Sequence, residues 1–217
     1  MFEVIVLRTK ELILHTAVTL FNEQGTGKVS TNHIATSAQM SPGNLYYHFK
    51  NKEEIIRAIL DQMYAKWHPI WSLPDDIQVT LEDLRSRLLL NFEILWEYRF
   101  FYREAIALLQ ADAELKQKHQ QMMESRMLDQ EAFIGRFVQS GVLQFNHGVD
   151  NHRQLFTAGW IVATNWLGFL EMNGVTVDSA RLQEGLELIL SIIKPYIAIH
   201  AGEGNSYDHI EKKLSED

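Results

Sequence analysis

The chain has 217 residues, 46% of them hydrophobic and 22% charged, the balance of a globular rather than a disordered protein. It contains no cysteine, which excludes disulfides, thiolate zinc sites and cysteine nucleophiles. The net charge of −8 is uneven: residues 1–65 hold six Lys+Arg and six Asp+Glu, and the rest, with fourteen basic and twenty-two acidic groups, carries all of the excess.

A neutral N-terminal third on an acidic body lets an anionic partner approach one end only. The opening run MFEVIVLRTKE is too short in apolar residues to be a signal peptide and lacks a small-residue cleavage site. The most apolar later stretch, WIVATNWLGFL, is about half the length a membrane span needs. A soluble, cytoplasmic protein is expected.

In chain order, Ile13, Ala17, Leu20 and Phe21 recur at helical spacing and Gly25 ends that helix, placed at 10–24. STNHIATSA follows, with N-cap candidates Ser30 and Thr31 and with Ile34, Ala35 and Ala38 on one face. A tight turn at Gln39, Met40 and Ser41 leads into SPGNLYYHFKNKEEI, where Pro42 opens a short helix over 42–48 and only Leu45 and Phe49 are clearly apolar. The segment KEEIIRAILDQMYAKW then carries Ile55, Ile56, Ile59, Leu60 and Met63 inward, with Glu53 and Glu54 in its first turn, where the helix dipole favours negative charge.

Pro69 and Pro74 break the pattern, and a domain boundary is placed there, dividing the chain into residues 1–68, residues 69–200 and a flexible tail, 201–217. Helices are expected over 80–97, 99–110, 113–139, 151–172 and 178–199, punctuated by Gly141, Gly148, Gly174 and Pro195. No alternating run is long enough for a strand, so the fold class is all-α.

Residues 30–49 read as one object. Ile34, Ala35, Ala38, Met40, Leu45 and Phe49 can share a small core with the first helix, leaving Pro42, Gly43, Asn44, Tyr46, Tyr47 and His48 outside. That is the layout of a helix-turn-helix, whose second helix enters the major groove. Asn44 suits an adenine edge, Gly43 a close backbone approach and Pro42 a thymine methyl, while Tyr, His and Lys donate to phosphates. Lys52 precedes a helix whose free amides can also face a phosphate.

LFNEQG, STNHIA and SPGNLYYHFKNKEEI together resemble the N-terminal DNA-binding domain of the TetR family of bacterial regulators, over roughly residues 8–60, about a quarter of the chain. The resemblance implies dimers on a pseudo-palindromic operator, a ligand pocket in the C-terminal domain and loss of DNA affinity when the ligand binds. Carried over, Thr31 contacts phosphate and Asn32 lies near a base edge. Pro42, Gly43 and Asn44 face the groove, Tyr46, Tyr47 and His48 lie along the backbone, and Lys52 holds a phosphate. The family usually has glycine in the turn where this chain has Gln39, at a cost of about 1 kcal/mol if the position needs a positive φ.

For the C-terminal domain, Phe92, Trp96, Phe101, Phe133 and Trp166 with Met123 are candidate apolar walls of a pocket, and Arg103, His119, Arg126 and Asn165 are candidate polar anchors. The expected effector is a small, bulky and mainly apolar molecule, with a carboxylate as one option. Segment 178–199 is apolar on more than one side, and it and 151–172 are the expected homodimer surface, matching the four-helix bundle of the resembling family.

No enzyme is expected, and neither a metal nor another cofactor. GTGK at 25–28 lacks both the earlier glycine and the Ser/Thr of a phosphate loop, and neither HExxH nor GxSxG occurs. A DNA-binding regulator governed by protein contacts alone is the alternative to an effector-controlled one; an enzyme of undetected type is the second alternative.

Overall fold

The computed structural model describes residues 2–73, 78–145, 151–178 and 180–198. Pro74, Gly148 and the tail 201–217, each used in the sequence reading, lie outside the described residues. Within them the fold is all-α: α1 (Phe2–Gln24), α2 (Thr31–Ser37), α3 (Pro42–His48), α4 (Lys52–Trp71), α5 (Leu81–Glu97), α6 (Arg99–Ala111), α7 (Ala113–Gln139), α8 (Asn151–Met172), α9 (Ala180–Ile193) and a 3-10 turn, Lys194–Tyr196. Leu143 and Ile197 form an isolated antiparallel bridge.

Two expected ends are corrected. Helix α4 does not stop at Pro69 but runs through it to Trp71. A proline so near a C-terminus disturbs little of the ladder, and the terminal carbonyls of Pro69 and Ile70 accept from Arg87 Nη1 at 2.7 and 3.1 Å. Helix α9 ends at Ile193, earlier than expected, because Pro195 turns the chain into a 3-10 turn. Beyond it the backbone pairs with the segment after α7, Gln144 N to Tyr196 O at 2.7 Å and Ala198 N to Val142 O at 3.0 Å.

The chain divides into two compact units, residues 1–68 with 94–125, and residues 69–93 with 126 onward. The sequence reading placed one linear boundary after residue 68; the packing groups 94–125 with the N-terminal segment. In the first unit Ile13, Ala17, Phe21, Ile34, Leu45, Ile55 and Ile59 are fully buried. Phe21 meets Phe100 of α6 with ring centroids 5.3 Å apart. In the second, Phe92, Phe133, Phe137, Leu186 and Ile189 form the interior.

Three helices end in the same way. After α2, Gln39 N donates to Thr36 O and Met40 N to Ala35 O; after α7, Gly141 N donates to Val138 O and Val142 N to Phe137 O; after α8, Gly174 N donates to Glu171 O and Val175 N to Leu170 O. This is the Schellman arrangement, which requires a left-handed residue. Glycine supplies it at Gly141 (φ 71°) and Gly174 (φ 72°), and Gln39 (φ 54°) supplies it in the turn between α2 and α3.

Candidate nucleic-acid interface and cavity

In the first unit α2 and α3 are each seven residues long, too short to persist alone. Side-chain caps and a shared anchor hold them. Ser30 Oγ accepts from His33 N at 3.2 Å, with the His33 ring reaching back to Ser30 N, and Ser41 Oγ accepts from Asn44 N at 3.2 Å. Pro42 stands in the first turn of α3, where its missing N–H costs nothing. Leu45 and Phe49 are buried, as are Ile34, Ala35 and Ala38, while Met40 is half-buried.

That anchoring fixes what α3 shows outward. Pro42, Gly43, Asn44, Tyr46 and Tyr47 are exposed and His48 is half-buried; on α2, Asn32 is exposed and Thr31 half-buried. Tyr47 is 69% exposed, and its ring meets only the edge of His48 among the described aromatic pairs. Tyr46 OH lies 2.9 Å from Thr31 Oγ1, tying the two helices together at this surface. A β-carbon on Gly43 would find only Ser41 Oγ, 4.0 Å away, so packing within the chain does not demand a glycine there.

Lys52, expected at a phosphate, donates to Thr26 O at 2.7 Å and Val29 O at 3.2 Å, closing the loop after α1 onto α4. Asn51 Oδ1 caps α4 by accepting from Glu54 N, and Glu54 reaches back to Lys50 N. Lys10 lies 5.8 Å from the centroid of the Phe49 ring. Burial first, and then the Lys10 ammonium, lower the His48 pKa, so the imidazole is neutral near pH 7.

The second unit holds a cavity of about 60 Å³, several times what one water occupies. Helix α7 gives it Arg126, Gln130 and Phe133, one face of a helix at spacings of four and three. Trp71 ends α4, Asn91 lies on α5, and Phe156 and Trp160 come from α8. Arg126 is 5% exposed, donates to Asn91 Oδ1 at 2.9 Å and has its guanidinium 4.3 Å from the Trp160 ring centroid. The walls are otherwise largely aliphatic and aromatic, including Leu84, Leu88, Leu143 and Ile189.

Of the ten residues proposed for a pocket, Arg126 and Phe133 line this cavity. The others have different surroundings. Phe101 and His119 pack together in the first unit, where His119 Nδ1 also lies 2.8 Å from Tyr64 OH. Arg103 Nη1 donates to Asn22 O at 2.8 Å. Trp96 lies under Arg99, and Met123 is half-buried in the first unit. Phe92 and Trp166 crowd Gly185 of α9. Asn165 is exposed and bonds back to Ile161 O at 2.8 Å. Trp71, Asn91 and Gln130 were not singled out from the sequence. Gln130 had a signal, four residues from Arg126 on the same face; Trp71 and Asn91 arrive from separate segments with no local one.

Among the described residues no His, Asp and Glu form a group placed to hold a metal, and no helix is long and apolar enough to cross a membrane.

Two family descriptions match this chain: "Bacterial transcriptional repressor" over residues 62–203 and "Bacterial regulatory proteins, tetR family" over residues 13–59. Among solved structures, a TetR-family transcriptional regulator from Marinobacter aquaeolei VT8 is 31% identical, with a TM-score of 0.80, covering 88% of this chain and 92% of that one. The regulator QacR of Staphylococcus aureus is 31% identical over 96 residues, 44% of this chain and 50% of that protein. The repressor KstR2 of Rhodococcus jostii is 38% identical over 76 residues, 33% of this chain and 37% of its own length. The chain thus spans half or less of these two curated relatives.

Proposed function

Because the chain belongs to the TetR family of bacterial transcriptional regulators, which are not enzymes, we propose that it is a repressor that binds a pseudo-palindromic operator as a dimer and is released by a small, mainly apolar effector. Its place of action is the bacterial cytoplasm, where such an operator lies. The observation that carries the reading is the outward face of α3, where Pro42, Gly43, Asn44, Tyr46 and Tyr47 are exposed on a helix anchored by Leu45 and Phe49.

A helical glycine costs about 1 kcal/mol relative to alanine, and at Gly43 the surrounding chain gives no reason for it. A close-approaching DNA backbone or base edge does. In this reading Asn44 pairs with a base edge, with Pro42 and Asn32 beside it. Thr31, Tyr46, Tyr47 and His48 position the helix on phosphates. Lys52 serves there with its remaining donor, its other two being spent on Thr26 O and Val29 O.

The dimer forms through α8 and α9, whose Ile161 (57% exposed), Phe169 (53%) and Met172 (83%) are apolar groups left facing water in one chain. A two-fold dimer sets its two α3 helices about one DNA turn apart or a multiple of it. The effector occupies the cavity of the second unit and acts by binding one dimer spacing more tightly than the other, since a ligand shifts an equilibrium only by that difference.

The test is binding of the purified protein to a genomic fragment spanning its own upstream region, against random DNA, titrated with salt. The expected result is tighter binding to the fragment and a steep fall in affinity with salt. Asn44→Ala should narrow the gap between the two DNAs, whereas Lys52→Ala should weaken both alike and flatten the salt slope. Equal losses on both DNAs for Asn44→Ala would remove it as a base reader.

A further inference from the structure

Among the side chains that line the second unit's cavity, Trp71 Nε1, a donor, and Gln130 Oε1, an acceptor, have no hydrogen-bond partner among the described residues. Both side chains are more than nine-tenths buried, Trp71 at 6% and Gln130 at 1% exposure. Buried polar atoms are nearly always paired, and leaving one unpaired costs on the order of 1–3 kcal/mol. Of the other polar side chains here, Thr164 Oγ1 donates to Trp160 O at 2.8 Å and Asn91 accepts from Arg126 Nη2, while Arg126 Nε and Nη1 donate no hydrogen bond among the described residues and the guanidinium lies against the Trp160 ring.

From this complementary pair we infer that the effector is an apolar molecule bearing hydroxyl functionality, which accepts from Trp71 Nε1–H and donates to Gln130 Oε1. The inference rests on the effector reading above. A hydroxyl both donates and accepts, so it also suits the Gln130 amide in either orientation. A carboxylate or ketone only accepts, so with the amide as the structure sets it Gln130 Oε1 would be left without a donor. An ammonium only donates, and the Trp71 N–H would oppose it. The remaining wall, with Leu84, Leu88, Phe133 and Phe156, suits a flat or branched hydrocarbon body.

The experiment compares three probes of similar bulk, naphthalene, 2-naphthol and 2-naphthoate, by calorimetric titration of the full chain and of Trp71→Phe and Gln130→Met. The expected result is that 2-naphthol binds about tenfold or more tightly than naphthalene, with the advantage reduced in each variant while naphthalene affinity holds. Retained naphthalene binding also shows that a variant's cavity is intact; if one variant loses it, the other decides. Naphthalene binding as well as 2-naphthol, or an advantage unchanged by the substitutions, overturns the hydroxyl inference and leaves the effector reading standing. So does tightest binding by 2-naphthoate, which moves the anchor to the Arg126 cation. No binding of any probe, with no release of DNA, overturns both.

Discussion

Phe100 donates its backbone N–H to Asn22 Oδ1 at 2.9 Å, while the other end of that amide donates to Glu97 O at 2.7 Å. One side chain near the end of α1 therefore bridges the junction of α5 and α6, and Arg103 reinforces it by donating to Asn22 O at 2.8 Å. Asn22 is 9% exposed, so water is a poor substitute. Asn22→Leu should cost about 2 kcal/mol or more, because it orphans a donor and an acceptor together. Asn22→Asp should recover only the bond from Phe100. Urea denaturation of the three proteins checks the order; a loss below about 0.5 kcal/mol would mean that the bridge contributes little.

Gln39 occupies the left-handed position that glycine fills in the equivalent ends of α7 and α8. A side chain there costs about 1–2 kcal/mol, partly offset by the lower backbone freedom that any non-glycine residue brings to the unfolded chain. Gln39→Gly should therefore raise the melting temperature by about 1–4 °C. Gly141→Ala and Gly174→Ala should lower it. An unchanged or lower melting temperature for Gln39→Gly would show that the turn is not strained.

Much of this was legible because it is local. The pattern that separates Leu45 and Phe49 from Tyr46 and Tyr47 is written within one short helix, and Gly141 and Gly174 mark helix ends through their own backbone requirement. What sequence could not convey is which distant segments meet. Arg103 and His119 have the composition of pocket anchors, yet one serves Asn22 and the other Tyr64. Helix α7 makes the difficulty plain: Met123 belongs to one unit and Arg126, three residues on, to the other, and periodicity along a continuous helix contains no mark of that change. Lys52 illustrates the same limit, since its loop carbonyl partners lie more than twenty residues away.

With α3 on DNA as proposed, His48 should give the complex a pH dependence. Burial and Lys10 lower its pKa in the free protein, so it is neutral near pH 7 and takes up a proton only on the acid side of the ordinary histidine value. A phosphate beside it would favour the protonated form. Operator affinity should therefore strengthen as pH falls through that range, and His48→Gln should flatten the profile between about pH 5 and 8. A profile identical in the two proteins would place His48 away from the phosphate backbone.

Gly185 of α9 has no room for a side chain against Trp166 of α8 and Phe92 of α5. A β-carbon there would lie 2.6 Å from Trp166 Cδ1 and 2.8 Å from Phe92 Cε1. Neither ring can readily yield, since Phe92 is fully buried and Trp166 Nε1 is tied to Arg181 O at 2.7 Å. Gly185→Ala should destabilise by about 1–3 kcal/mol through overpacking. Because α8 and α9 are also the proposed dimer surface, the variant should dissociate at higher protein concentration than the parent, read by sedimentation. A variant as stable as the parent would mean that the helices separate freely.

Asp112 joins α6 to α7 and ties both to α4. Its Oδ1 accepts from Leu115 N at 3.0 Å, and its Oδ2 receives Arg57 Nη1 at 2.6 Å. Burial alone would raise the carboxyl pKa, but the Leu115 amide and the Arg57 guanidinium outweigh it and hold the value below the ordinary one. A depressed folded-state pKa means that the ionised carboxylate stabilises the fold fully above the ordinary carboxylate value. That contribution disappears as pH falls through the lowered value. Asp112→Asn should thus cost about 1–2 kcal/mol at neutral pH, through the weakened cap and the lost ion pair. The gap between parent and variant should close in strong acid, where both side chains are neutral. Urea midpoints measured from neutral pH down to about pH 2.5 test the sign. A gap that stays constant across that range would assign the loss to packing instead of charge.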